Sequence, residues 1–291
     1  MRWLSRTLLC GVLLSSSVGV APVIDHAPSV AAYATGRELD RYNPSRPSSR
    51  VVVLIHGCCG DRRDMAELAR ALRRAGAIVL NADVRAFGDG GGWPATYDDV
   101  VCAISAGRRI VGDLGADAKL ALIAWDDGAL VSMAVMLGWS TMSIRARSCA
   151  EPVEPDGADL FVGLSGHYGW TGDLLNAPVT DATTEWFGGS PSQVPTNWQM
   201  GNPGWWLEHQ PSAMRIPVTL MSVEGDQVTA DFALRLRLHS IDVNRFVCGS
   251  GMHADLVHPR GVPGSFALST MTAILGLVPQ LPPPTSGCTR L

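Results

Sequence analysis

Asp126 and Asp127 stand side by side where one apolar stretch, Lys119 to Trp125, gives way to a second that starts at Gly128. An aspartate, with a reference pKa of roughly 3.9, is anionic at neutral pH and needs no base before it attacks an electrophile. Attack on an acyl carbon would leave a mixed anhydride, a poor way to divide ester hydrolysis into two steps. Attack at a saturated carbon would leave an alkyl ester, which an activated water can clear. The same pair also has a purely structural use, because aspartates ahead of an apolar helix cap its free N–H groups and complement its dipole. Two more polar clusters follow apolar runs. Glu224-Gly225-Asp226 comes after Pro217 to Val223, and Gly249-Ser250-Gly251-Met252-His253-Ala254-Asp255 comes after Arg245 to Cys248. Asp126, Asp127, Asp226 and His253 are metal-ligand types, but no metal-binding spacing accompanies them, so neither a metal nor a cofactor is expected. His167, His209 and His258 read as ordinary loop residues.

These residues need elements to hold them. Val51 to Ile55 begins a buried strand, and in Asp61 to Arg74 the residues Met65, Leu68, Ala69 and Leu72 fall on one helical face, with Gly76 suited to the C-terminal end. A strand at Ala77 to Ala82, a helix at Tyr97 to Val111 and the strand before Asp126 follow. Three strand–helix units in succession imply a parallel sheet covered on both faces. The all-round apolar Ala129 to Leu137 reads as a buried helix. Further strands fit Asp159 to Leu164, Pro217 to Val223 and Asn244 to Cys248, a last helix fits Ser265 to Leu275, and an edge strand fits Glu38 to Tyr42.

Between the strands ending at Leu164 and starting at Pro217 lies a Gly/Pro-rich insertion, 170–211, with Trp170, Trp186, Trp198, Trp205 and Trp206, five of the nine tryptophans. It reads either as a cap over a pocket or as loops and short helices pinned by aromatics. The division is then a signal segment (1–21), an N-terminal extension (22–47), one α/β domain (48–278) and a tail (279–291) expected to be loose apart from Cys288.

The N-terminus has the pattern of an export signal: Arg2 and Arg6, the apolar run Thr7 to Leu14, then small residues towards Ala21. An exported protein with no stable membrane insertion after processing is the expectation. Charged residues are 17% of the chain and the formal net charge is −4, which offers no basic footprint for nucleic acid and favours a small-molecule substrate or ligand. Six cysteines remain after processing (Cys58, Cys59, Cys102, Cys149, Cys248 and Cys288), enough for up to three disulfides in an oxidising compartment. Six allow fifteen pairings, and the sequence does not choose among them. Their spacing matches no zinc pattern.

The stretch Ala124-Trp125-Asp126-Asp127-Gly128 resembles the nucleophile elbow of the α/β-hydrolases, normally G-x-S-x-G, with a carboxylate at the nucleophile position. The chain from about residue 48 to 276 resembles that superfamily, in its esterase/lipase-like branch. The resemblance implies a doubly covered, mostly parallel sheet with a small Trp-rich cap. It also implies a triad in the chain order nucleophile, acid, histidine, with Asp226 on the acid turn and His253 on the histidine loop. His56-Gly57-Cys58-Cys59-Gly60 is similar to the family's oxyanion loop, which assigns charge-holding amides to Gly57, Cys58 and Cys59 together with Asp127, and a loop-bracing role to His56. Gly92-Trp93-Pro94-Ala95, Asp98-Asp99-Val100 and Ser165-Gly166-His167-Tyr168 resemble the small-ester and carbohydrate-ester branch. Haloalkane dehalogenases and epoxide hydrolases of this fold place Asp at the elbow, but with Trp directly after it, whereas here Trp125 precedes it. The epoxide branch also uses cap tyrosines as acids, and 170–211 has none. The resemblance therefore implies a hydrolase working through Asp126, Asp226 and His253 on a small ester-like or alkyl substrate. The alternative is a catalytically silent binding module that keeps the pocket.

Overall fold

The computed structural model describes residues 27–57, 59–168, 179–210, 215–249, 251–278 and 288–291. The expected signal segment, Cys58, Trp170 and most of the tail lie outside them. The strands are β1 (Ser29–Ala34), β2 (Arg37–Tyr42), β3 (Arg50–Ile55), β4 (Ile78–Ala82), β5 (Lys119–Trp125), β6 (Leu160–Leu164), β7 (Val218–Val223), β8 (Val243–Cys248) and β9 (Cys288–Arg290). They form one nine-stranded sheet in the order β1-β2-β4-β3-β5-β6-β7-β8-β9. From β4 through β8 all pairings are parallel, while β1, β2 and β9 are antiparallel at the edges.

The parallel strands carry near-continuous apolar runs because both faces are covered. Val51 to Ile55 of β3 and Leu120 to Ala124 of β5 are fully buried. One face carries α1 (Ala66–Ala75) and α9 (Val262–Ile274); the other carries α2 (Ala95–Leu114) and α3 (Asp127–Leu137). The helix expected from Asp61 resolves into two pieces. A 3₁₀ turn over Arg62–Met65 is capped by Asp61, and α1 follows, closed by Gly76 in the left-handed conformation at φ 110°. From Gly128 to Leu137 every residue of α3 is buried, as its all-apolar sequence requires.

After α4 (Trp139–Arg145) and β6, the described part of the insertion forms α5 (Asp181–Phe187), α6 (Pro195–Met200) and α7 (Pro203–His209). Trp186, Trp198 and Trp206 are buried here. The Trp198 indole N–H donates to the Gly189 carbonyl (2.9 Å) and that of Trp206 to the Met200 carbonyl (2.6 Å), so these rings pin the helices. Then come β7, α8 (Gln227–Leu238), β8 and α9. The tail contributes a short strand, β9, on the free edge of β8, and it starts at Cys288, the residue excepted from the loose tail that the sequence led us to expect.

Two disulfides settle part of the cysteine question. Cys102–Cys149 joins α2 to the segment before β6, and Cys248–Cys288 joins β8 to β9. Each closes a long loop, with separations of 47 and 40 residues, and the chain-entropy account assigns a bridge of that span about 4 kcal/mol. Replacing Cys102 and Cys149 together by Ser is expected to lower the unfolding free energy by about that amount, read from urea melts of oxidised protein. An unchanged midpoint would show that the bridge is not formed.

Candidate active site

Parallel strands present their C-terminal ends on one side of a sheet, where ligands of open α/β folds bind. Four residues singled out for chemistry or structure lie on the loops that leave those ends: His56 directly after β3, Asp126 directly after β5, Asp226 on the turn after β7 and His253 on the loop after β8. A fifth, His167, follows β6.

Asp126 is the turn itself. Its backbone lies at φ 55°, ψ −131°, a region that residues other than glycine rarely enter and that costs about 1–3 kcal/mol. The turn is tied down on all sides. The Asp126 N–H donates to the Leu164 carbonyl at 3.0 Å, and Ala129 N–H donates to the Asp126 carbonyl at 2.9 Å. Gly128 brings α3 so close to the β3 loop that a Cβ there would lie 2.1 Å from the His56 carbonyl oxygen. Gly128→Ala is therefore expected to cost about 3 kcal/mol in chemical unfolding, because the clash is with backbone and no side chain can swing aside. A cost below about 1 kcal/mol would contradict this packing.

Although Asp126 occupies the N-cap position of α3, its side chain makes no capping hydrogen bond. The Asp127 amide lies near enough to favour the side chain's charged form. A Cβ added at Gly57 would lie 2.9 Å from its Oδ2, so that oxygen lies against the oxyanion-type loop. Oδ1 faces the other way and lies 3.6 Å from Nε2 of His167. Burial, and then the charge of Asp127, push the Asp126 carboxyl above its ordinary range, while His167, the Asp127 amide and His253 pull it back.

The remaining candidates are placed as follows. His56 is buried, accepts the Val84 N–H on Nε2 (3.2 Å) and meets the Gly57 carbonyl through Nδ1 (2.7 Å), so the proton is on Nδ1 and the ring braces the loop. Cys59 is exposed on that loop. Trp125 donates its indole N–H to the His253 carbonyl at 3.3 Å and so ties the histidine loop to the elbow. The His253 ring lies 6.1 Å from that of His167, centroid to centroid. Asp226 caps α8: Thr229 gives its N–H to Oδ1 at 3.0 Å and its hydroxyl to Oδ2 at 2.7 Å. Among the described residues no hydrogen bond or ion pair joins His253 to Asp226 or to Asp126.

The imidazole that meets the elbow carboxylate is thus His167, which the sequence reading left among ordinary loop residues. Its position just past an apolar strand was the available signal. Asp126, Asp127 and His167 offer ligand atoms within 4.8 Å of one another, a set that is common without a metal and serves equally as an acid–base cluster.

No known family model matches this chain, and no curated protein matches it in sequence. Solved structures do match. An esterase from the Planctomycetes species Thermogutta terrifontis, bound to butyrate, superposes with a TM-score of 0.66 at 14% identity, over 89% of this chain and 97% of that one. The same esterase phosphonylated by sarin gives 0.64 at 14% identity, over 87% and 96%. A bifunctional GH43-CE protein of Bacteroides eggerthii gives 0.60 at 20% identity, over 82% of this chain and 35% of that one. The chain has the α/β-hydrolase-like fold that its elbow led us to expect.

Proposed function

We propose that this chain is an exported hydrolase of small ester-like or alkyl substrates, with Asp126 as nucleophile, His253 as base and Asp226 as the carboxylate that orients His253. The amides of Asp127 and of the loop from Gly57 to Cys59 hold the charge that develops on the Asp126 carboxyl. The observation that carries this reading is the conformation of Asp126. A non-glycine residue is held at positive φ, on a strand-to-helix turn, with a carboxylate that does no capping. Strain of this kind persists where the surroundings enforce it, and at a strand end in this fold it presents one side chain to a substrate.

In the first step Oδ1 bonds to a saturated carbon and the leaving group departs with the bond's electron pair. In the second, water attacks Cγ of the resulting ester, His253 takes the water proton, and the alcohol leaves with that proton. Oδ2 lies against the Gly57 loop and the Asp127 amide already favours the charged carboxyl, so charge on the tetrahedral intermediate develops beside groups that are in place. The esterase neighbours support a small ester-like substrate, and the two disulfides support export. No described helix is long and apolar enough to cross a membrane.

The deciding experiment is a single turnover in ¹⁸O-water with protein in excess, over a panel of short esters, alkyl halides and epoxides. The reading predicts ¹⁸O in the Asp126 carboxyl, found by peptide mass, and the same rate with EDTA present. Label confined to product would remove Asp126 as nucleophile, and loss of the rate in EDTA would point to a metal.

One observation favours a second reading. Asp226 is bonded to Thr229, and among the described residues no hydrogen bond or ion pair joins it to His253, the arrangement expected of a scaffold that binds without turnover. The panel separates the two, since a binder leaves every arm silent.

A further inference from the structure

His167 is placed with more care than a loop residue needs. Its neighbours on both sides are locked. The Gly166 carbonyl oxygen lies 3.3 Å from the Thr229 hydroxyl oxygen, and Tyr168 is buried with its ring stacked on Phe232 at 4.7 Å and 8°. One residue before that, Ser165 is held at φ 47° with its N–H on the Met221 carbonyl at 2.7 Å. The fixed backbone carries a ring whose side chain is 52% exposed, with Nε2 3.6 Å from Oδ1 of Asp126. That separation is an ion-pair contact longer than a hydrogen bond, so the N–H is not committed to the carboxylate. The titratable groups beside it include Asp126, Asp127 and His253.

We propose that His167 is the general acid of the first half-reaction, and that the site therefore takes electrophiles whose leaving atom is oxygen, of which an epoxide is the simplest. This rests on the reading of Asp126 as nucleophile. A substrate carbon in line with Oδ1 moves the ring outward, into the side on which it is already exposed. As Oδ1 bonds to carbon, the C–O bond breaks with its electron pair on oxygen, and the imidazolium of His167 gives that oxygen its Nε2 proton. In the second half-reaction water attacks Cγ, one water proton passes through His253 to the departing oxygen, and the water's OH remains on Asp126 as a carboxylic acid. That acid returns a proton to His167, and both residues are as they began. The sum is epoxide plus water to diol, with no further reactant. A halide leaves as a stable anion and asks nothing of His167.

The test compares native protein with His167→Gln on two probes, styrene oxide and phenethyl bromide, following formation of the Asp126 ester by rapid quench and peptide mass. General acid catalysis contributes about 10²–10⁴-fold, so the ratio of the epoxide rate to the bromide rate is expected to fall at least about 100-fold in the variant. Should the native chain ignore the bromide, a fall of that size in the epoxide rate itself carries the proposal. An unchanged ratio, or a native chain esterified by the bromide alone, overturns the role of His167 and leaves Asp126 standing as nucleophile. No Asp126 ester from either probe removes the nucleophile itself and this proposal with it. Thermal melts confirm that the variant, altered at a half-exposed ring, is folded.

Discussion

Asp126→Asn is expected to lower turnover by at least about 10⁴-fold while leaving the protein folded and, near neutral pH, more stable than the native chain. The loss follows from chemistry: an amide oxygen is a far weaker nucleophile than a carboxylate, and removing a group that forms the covalent bond costs on this scale. Retention of fold follows from the near-identical size and shape of the two side chains, since Asn can replace, on the same backbone, the Asp that already holds φ 55° and ψ −131° at this turn. The gain in stability follows from linkage. Burial and the charge of Asp127 raise the Asp126 carboxyl in the folded chain above its ordinary value of about 3.9. The stability this group contributes is therefore fully present below that value and is lost as pH rises through the folded one. Asn removes the loss, so the variant should melt higher at about pH 7, with the gap closing below about pH 3.5. An equal or lower melting point at neutral pH would show that the carboxylate is well solvated in the fold. Asp126→Ser adds a different arm: a native protein silent on every substrate, beside a Ser variant that hydrolyses short esters, would identify a hydrolase scaffold put to binding use.

The sheet was legible because a parallel strand covered on both faces has few ways to be written. Val51 to Ile55, the stretch before Asp126 and Pro217 to Val223 are apolar throughout, and each lies within about a residue of an observed strand. The edges were less so. Strand β1 exposes four of its six residues and β9 has only three, so neither leaves an apolar pattern to read. At the site, the turn at Asp126 was legible from local sequence, since a strand, two aspartates, a glycine and an apolar helix can join in few ways. Asp226 was read only as the acid for His253, although an aspartate three residues before a threonine at a helix start is also a local cap. His167 was not legible. What aims it is the contact of Gly166 with Thr229, 63 residues apart, and the stack of Tyr168 on Phe232, and no window of sequence contains both.

His253→Gln is expected to separate the two halves of the reaction. The first half asks nothing of His253, so the variant should still form one equivalent of Asp126 ester. The second half needs a base for water, and turnover should fall by about 10³–10⁴-fold, with the ester visible as a burst and as added mass on the Asp126 peptide. A variant that turns over normally would remove His253 from the mechanism and pass the base role to His167, the imidazole already at Oδ1. Asp226→Asn then tells how His253 is held. An orienting carboxylate in a triad is worth about 10⁴-fold, whereas an N-cap replaced by another good cap changes stability and rate little. Both Asp226 oxygens are on Thr229, and the His253 loop is held to the elbow through the Trp125 indole. If Asp226→Asn keeps most of the burst and most of the turnover while Trp125→Phe loses turnover, His253 is oriented through its backbone and not through its ring. A collapse of the second half in Asp226→Asn would instead mean that Asp226 leaves Thr229 for His253 when the ester forms.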